Sequence, residues 1–213
     1  MYDGLISGGA VRRLWLGETE LYRAHLLRVD PSSRRSRFGG AVSDEFIERY
    51  TQPPALSSAI IYGFFVDSVL RGAAELRLLA QPDEAEAALS VEKAWQSRGV
   101  GTVLLERVLL VARNRQIKHL HMLCLADNRR MQQLARKFDA ELAFRSGSVV
   151  GELRAPASTP ISLMRELVAD GADLATAMLD VPWLLAKRLE NTNCQPESPA
   201  RTHERLMPVD NWR

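Results

Sequence analysis

Val91-Glu92-Lys93-Ala94-Trp95-Gln96-Ser97-Arg98-Gly99-Val100-Gly101-Thr102 is the stretch on which the reading of this chain turns. An apolar run, Glu86–Val91, leads into a tight Gln-x-x-Gly-x-Gly loop and then straight into a segment with helical periodicity. Val100, Val103, Leu104, Val108, Val111 and Ala112 form one wide apolar face of that segment. The pattern predicts a strand, a turn and a helix from Gly99 to Arg115. Gly99 and Gly101 carry no Cβ, so backbone can approach a ligand closely. The unpaired N–H groups of a helix start favour an anion, most naturally a phosphate, and Arg98 adds a side-chain charge. A strand-to-helix connection with two convenient glycines is the plainer reading of the same residues.

Outward from this segment the chain alternates strands and helices. Upstream, Val11–Leu16 reads as a strand, Glu18–Leu27 as a helix and residues 30–40 (DPSSRRSRFGG) as a Ser-, Arg- and Gly-rich loop. Ser43 is placed to cap a helix through Tyr50, with Asp44 and Glu45 in its first turn. Ala59–Val66 is an apolar run suited to a strand covered on both faces. Asp67-Ser68 turns the chain into Val69–Leu79, the next strand of a hairpin. Downstream, His119–Leu125 alternates as a strand and Asn128–Phe138 repeats apolar residues at helical spacing. Leu142–Phe144 and Val149–Leu153 read as closing strands.

After Ala155 the composition shifts. Thr159-Pro160 opens a helix with Pro at its first position, Gly171 is expected to interrupt it, and Leu174–Leu179 to continue it. Trp183–Leu189 reads as a short helix. These shifts divide the chain into a domain over 1–155, a helical extension over 156–189 and a polar, flexible tail over 190–213.

Composition narrows the function classes. The 213 residues carry a net charge of +2, with 46% apolar and 25% charged residues, as in a globular domain. That balance argues against a nucleic-acid-coating protein, and no run approaches the length of a membrane span. Cys124 and Cys194 lie far apart and neither belongs to a CxxC pair, which supports neither a disulfide framework nor a zinc site. With no signal-peptide pattern at the N-terminus, a cytoplasmic location is expected.

The loop Gln96-Ser97-Arg98-Gly99-Val100-Gly101 resembles the acyl-CoA pyrophosphate loop of the GNAT acyltransferase superfamily. Asn128 opens the next helix after one more strand, as in that superfamily. A closer resemblance is to the acetyltransferase domain of bacterial protein-lysine acetyltransferases. It rests on Ala85-Glu86 before the apolar strand, on Asn128-x-x-Met131-x-x-Leu134-Ala135, and on the early DPSSRRSRFGG stretch. The resemblance covers residues 10–155. It implies an α/β (α+β) fold with a mixed, mostly antiparallel sheet flanked by helices, followed here by the C-terminal extension.

The implied activity is N-acetyl transfer from acetyl-CoA to a primary amine, on a protein lysine or a small molecule, with no metal. A non-catalytic acyl-CoA-binding module is the alternative, and a homodimer is compatible with either. The implied cofactor-binding residues are Val91, Lys93, Gln96, Ser97, Arg98, Gly99, Val100, Gly101, Thr102 and Asn128. Glu86 is the implied general base, against a plain solvent-facing Glu; Glu75 is second, with an ordinary polar-face position the favoured reading. The thioester carbonyl is expected to meet a backbone N–H near Leu89–Val91. One family feature is missing. The Tyr that many members carry on the helix after the Asn falls, by count from Asn128, at Ala135, which has no proton to give to the departing thiolate.

Other candidates read as structural. His119 and His121 share a strand face without a third metal ligand, and Cys124 reads as a core thiol. Arg34, Arg35 and Arg37 form a solvated basic loop or an electrostatic lure for anions.

Overall fold

The computed structural model describes residues 5–6, 8–145, 148–154 and 159–175. Eight strands build a single sheet: β1 (Leu5–Ile6), β2 (Gly9–Leu14), β3 (Ala59–Val66), β4 (Val69–Leu78), β5 (Glu84–Val91), β6 (His119–Leu125), β7 (Glu141–Arg145) and β8 (Ser148–Arg154). Their order is β1-β2-β3-β4-β5-β6-β8-β7. Every neighbouring pair is antiparallel except β5 with β6. Helices α1 (Thr19–Arg28), α2 (Pro31–Phe38) and α3 (Asp44–Tyr50) precede β3, while α4 (Val100–Asn114) and α5 (Arg129–Lys137) flank β6 in sequence.

Two apolar cores lie on opposite faces of the sheet. One packs Val100, Leu104, Val108 and Ala112 of α4 against Phe64, Leu76, Ala85, Ala87, Leu120 and Met122. The other packs Tyr22 and Leu26 of α1 and Ile47 of α3 against Leu14, Ile61, Phe65 and Ala73. The run Ala59–Val66 is therefore buried from both sides, as its unbroken apolar character requires. Asp67 and Ser68 both adopt positive φ, the conformation that lets a two-residue turn follow the twist of the β3–β4 hairpin.

The sheet opens at its one parallel pair. β5 and β6 are in register only over Glu84–His119, Ala85–Leu120 and Glu86–His121, and then diverge. Leu79 N–H donates to Glu84 O and Glu92 N–H donates to Arg71 O at the two ends of β5. Hydrogen-bonded pairs alternate along an antiparallel ladder. The backbone groups of Glu86, Ala88 and Ser90 therefore face β4, and those of Leu89 and Val91 face the opening.

Three features depart from the sequence reading. Residues 31–38 are helical: Asp30 accepts from Ser33 N–H at 3.1 Å as N-cap, Pro31 takes the first position and Gly39 closes the helix at φ +72°. The cap and stop residues decide the conformation there, against a composition that suggests a loop. The first long strand begins at Gly9 and ends at Leu14, two residues ahead of the expected Val11–Leu16. The third departure is helix α6, residues 160–175, which runs through Gly171 without a break. Anchors on both sides of that glycine hold the helical register. Asn114 donates to Ser162 O, Arg115 pairs with Glu166 at 2.7 Å, Arg13 pairs with Asp170 at 2.5 Å, and Arg13 N–H reaches Asp173 at 2.8 Å. The expected helix 183–189 and tail 190–213 lie outside the described residues.

Candidate active site

The splay between β5 and β6 opens into a cleft of about 870 Å³. Leu89, Ser90 and Val91 form one wall, the α4 N-terminus and α5 another, and Ser32, Ser33, Arg35 and Ser36 of α2 a third. Of the sequence-predicted binding residues, the cleft gathers Val91, Gln96, Ser97, Gly99, Gly101, Thr102 and Asn128. Lys93 sits in a single helical turn outside the lining, Val100 points into the core at 1% exposure, and Arg98 stacks over the Trp95 ring at 5.1 Å.

The α4 N-terminus has the form of an anion cradle. Gly99 is its N-cap at φ +85°, and a Cβ there would meet nothing within 4 Å. At Gly101 an added Cβ would meet only Leu134, at 3.5 Å. The space beside both residues belongs to the cleft rather than to packing. The first N–H groups of α4 have no carbonyl one turn behind them, so they are available to a bound anion. Arg35, Arg129, Arg130 and Lys137 also line the cleft, with Asp127 the sole acidic member of the lining among the described residues. That charge balance suits a polyanionic ligand.

Gln96 braces the loop. Its side-chain amide donates to Val91 O at 2.9 Å and to Ser33 Oγ at 3.0 Å, and its carbonyl oxygen accepts from Arg130. One side chain thus joins β5, α2 and α5 around the cleft mouth. Asn128 caps α5 by accepting from Met131 N–H at 3.1 Å. Arg35 pairs with Asp127 at 3.1 Å across the cleft. The serines of α2 carry no site signal in the sequence; of its arginines, weighed there as a lure for anions, Arg35 lines the cleft.

The two candidate carboxylates occupy different environments on one face of the sheet. Glu86 is half-buried, opposite Arg77 on β4 and His121 on β6, and its side chain makes no hydrogen bond or ion pair among the described residues. Glu75 is 1% exposed. Its Oε2 accepts from the Tyr22 hydroxyl at 2.8 Å, the Tyr50 hydroxyl at 2.7 Å and Arg37 at 2.8 Å, while Oε1 accepts from Arg77 at 2.5 Å. Burial alone would raise its pKa, but Arg37, the Tyr50 hydrogen bond and Arg77 outweigh burial and hold it below the ordinary carboxylate value.

Arg37 is therefore an internal counter-ion joining α2 to β4, not a solvated loop residue or a lure. Arg34 pairs with Asp44 at 2.5 Å and caps Leu27 O at 2.8 Å. Removing the acid by Glu75→Gln leaves Arg37 buried without its partner and is expected to cost about 3–5 kcal/mol of stability. Because the folded-state pKa is depressed, the stabilisation is complete above the unfolded value near 4.3 and is lost as pH falls through the lower folded value. Urea denaturation of both forms across pH 3–7 checks the cost and its direction.

His121 lies 3.4 Å from Glu84, and no group of three or more His, Cys, Asp or Glu among the described residues could hold a metal ion. Cys124 is buried, and burial pushes its thiol pKa up, as for a core residue. Among the described residues no helix is long and apolar enough to cross a membrane.

Comparison with known proteins bears on this geometry. A comparison with curated protein sequences found no match. Among solved structures, the chain is similar to the GNAT domain of the S. lividans PAT protein, at 23% identity and TM-score 0.60, over 71% of this chain and 94% of that one. It is similar to the PaiA N-acetyltransferase of Thermoplasma acidophilum, solved with coenzyme A, at 18% identity and TM-score 0.54, over 68% and 98%. It is also similar to the Escherichia coli ribosomal-protein-S18-alanine N-acetyltransferase, at 13% identity and TM-score 0.55, over 71% and 97%. These likenesses show the fold. The acetyltransferase (GNAT) family model matches residues 34–140, which include the Gln96–Gly101 loop, the splayed strands and the Asn128 cap, and the chain belongs to that family.

Proposed function

We propose that this chain transfers an acetyl group from acetyl-CoA to a primary amine, on a protein lysine or a small molecule. The observation that carries the reading is the joining of an anion cradle at the α4 N-terminus to an unpaired strand edge at Leu89–Val91, within one cleft. The pyrophosphate of CoA fits the N–H groups of the cradle, with Arg130 and Lys137 beside it. The pantetheine amides fit the free edge of β5, and the N–H of Leu89 or Val91 is oriented toward a thioester oxygen. Acetyl-CoA supplies the activated acyl group.

The chain's own residues supply the rest. An ammonium with a pKa near 10.4 must lose a proton before it attacks. Glu86 is the unengaged carboxylate on the strand that forms the cleft wall, which supports it as the base, directly or through water. Glu75, committed to four donors, is better suited to holding α1, α2 and α3 against the sheet. A thiol-release assay with acetyl-CoA and a panel of amines, peptides and intact proteins tests the reading. Release that depends on an amine supports it, and none with any acceptor refutes it.

A further inference from the structure

Helix α6 is amphipathic, but its polar side faces the domain and its apolar side faces away. Ser162 and Asp173 are buried. The Ser162 hydroxyl donates to Asn114 Oδ1 at 2.6 Å, and the Asn114 amide donates to Glu166 at 2.6 Å. The Tyr62 hydroxyl donates to Asp170 at 3.1 Å, beside the ion pair of Asp170 with Arg13. Ile161, Met164, Leu167 and Val168 are each at least 67% exposed, and Leu163 and Leu174 are exposed as well. At about 3.6 residues per turn, positions 162, 166 and 173 share one side of the helix. Positions 161, 164, 168, 171 and 175 share the opposite side.

A surface helix ordinarily buries its apolar stripe and exposes its charges. The six exposed side chains of α6 present on the order of 700 Å², where a soluble monomer rarely exposes more than a few hundred in one patch. That area is close to the roughly 800 Å² each partner gives to a standard interface. The outward stripe advances by three and four residues in turn, the spacing of a seam between two helices. Its first half is bulky, with Ile161, Met164 and Val168. Its second half is small, with Gly171, Ala172 and Ala175. A glycine inside a helix weakens it, and a Cβ added at Gly171 would meet nothing within 4 Å. Nothing among the described residues requires a glycine there, whereas close approach of a second backbone does.

We propose that α6 is a dimer interface, pairing antiparallel with α6 of a second copy of this chain. A two-fold axis across the helix lays the bulky half of each α6 on the small half of the other, so that one surface complements itself. The charges agree with this. Of the charged residues of α6 only Arg165 is exposed, at the edge of the stripe, and the antiparallel arrangement keeps its two copies apart. A lipid surface is the poorer fit, because helices that lie in one carry Lys and Arg on a free polar face. The polar face of α6 is acidic and already engaged. Asn114 and Arg115, which hold α6, stand at the opposite end of α4 from the Gly99 cradle, so the interface lies away from the anion site.

Sedimentation equilibrium of the full chain, from low to high micromolar concentration, is the test. A reversible dimer is expected. Met164→Asp and Val168→Asp are each expected to raise its dissociation constant about 100-fold or more, because the symmetry buries every introduced charge twice. Both side chains are exposed on the single chain, so the circular dichroism of the variants is expected to be unchanged. Gly171→Leu separates the possible occupants of the face. It adds apolar area and a better helix former, yet it is expected to weaken the dimer, because the new side chain fills the space of the approaching backbone. Vesicles of phosphatidylcholine and phosphatidylglycerol would instead hold Gly171→Leu more tightly than the unaltered chain. A monomer at every concentration overturns the proposal, and assigns the face to lipid if that monomer floats with the vesicles, or to the residues after Ala175 if it does not. A dimer left intact by all three substitutions also overturns it, since such a dimer is built on another surface.

Discussion

Gly101→Trp is expected to abolish CoA binding, reducing a calorimetric titration to the heat of dilution, with the far-ultraviolet circular dichroism unchanged. The argument is steric. An added Cβ at 101 meets only Leu134 at 3.5 Å, so the backbone accepts a side chain. The indole then extends into the space at the helix start, where the anion must come within hydrogen-bond distance of N–H groups. Gly99 is a poorer probe, since its φ of +85° strains any other residue and would mix a folding cost into the result. Unaltered affinity in Gly101→Trp would mean that the phosphates bind elsewhere, with the basic side chains of α5 the next place to look.

Glu86→Gln is expected to lower amine-dependent turnover by about 10²–10⁴-fold. CoA affinity is expected to hold, because Glu86 is not among the residues lining the cleft around the cradle. The loss shrinks as pH rises toward the amine pKa, where a growing fraction of acceptor is already neutral. A pH-rate profile of both forms separates this from a loss of fold, which would lower the rate equally at every pH. Full activity of Glu86→Gln at neutral pH would remove Glu86 as the base.

Where local chemistry decides the structure, the sequence was legible. The Gly99 turn, the apolar face of α4, the Ser43 and Asn128 caps and the Asp67-Ser68 hairpin follow from rules that act within a few residues. Helix α2 carries its signals, Asp30-Pro31 and Gly39, in the open, but its run of serines and arginines offers no apolar periodicity to support them. The site was half legible. The turn at Gly99 and the helix it opens are local, and their residues show them in the sequence. Arg37 with Glu75 and His25 with Ser90 join residues far apart in sequence, and no spacing rule brings such partners together. His25, buried within helix α1, gives no sign of its Ser90 partner until the sheet is assembled. Gly171 misled for a related reason: the anchors that carry α6 through it sit on β2, β3 and α4.

The three-residue register between β5 and β6 bears on how the molecule opens. Strands β1–β5 and strands β6–β8 are two hydrogen-bonded blocks joined edge to edge by a short seam. Blocks joined in this way can exchange their amide hydrogens as separate cooperative units. A ligand held at once by the β5 edge, the α4 start and α5 would stabilise the closed form of both by mass action. Hydrogen–deuterium exchange is then expected to slow on both sides of the seam when CoA is added, including in β8, which is joined to β5 only through β6. Protection confined to the lining residues would mean that the seam is already as stable as the rest of the sheet.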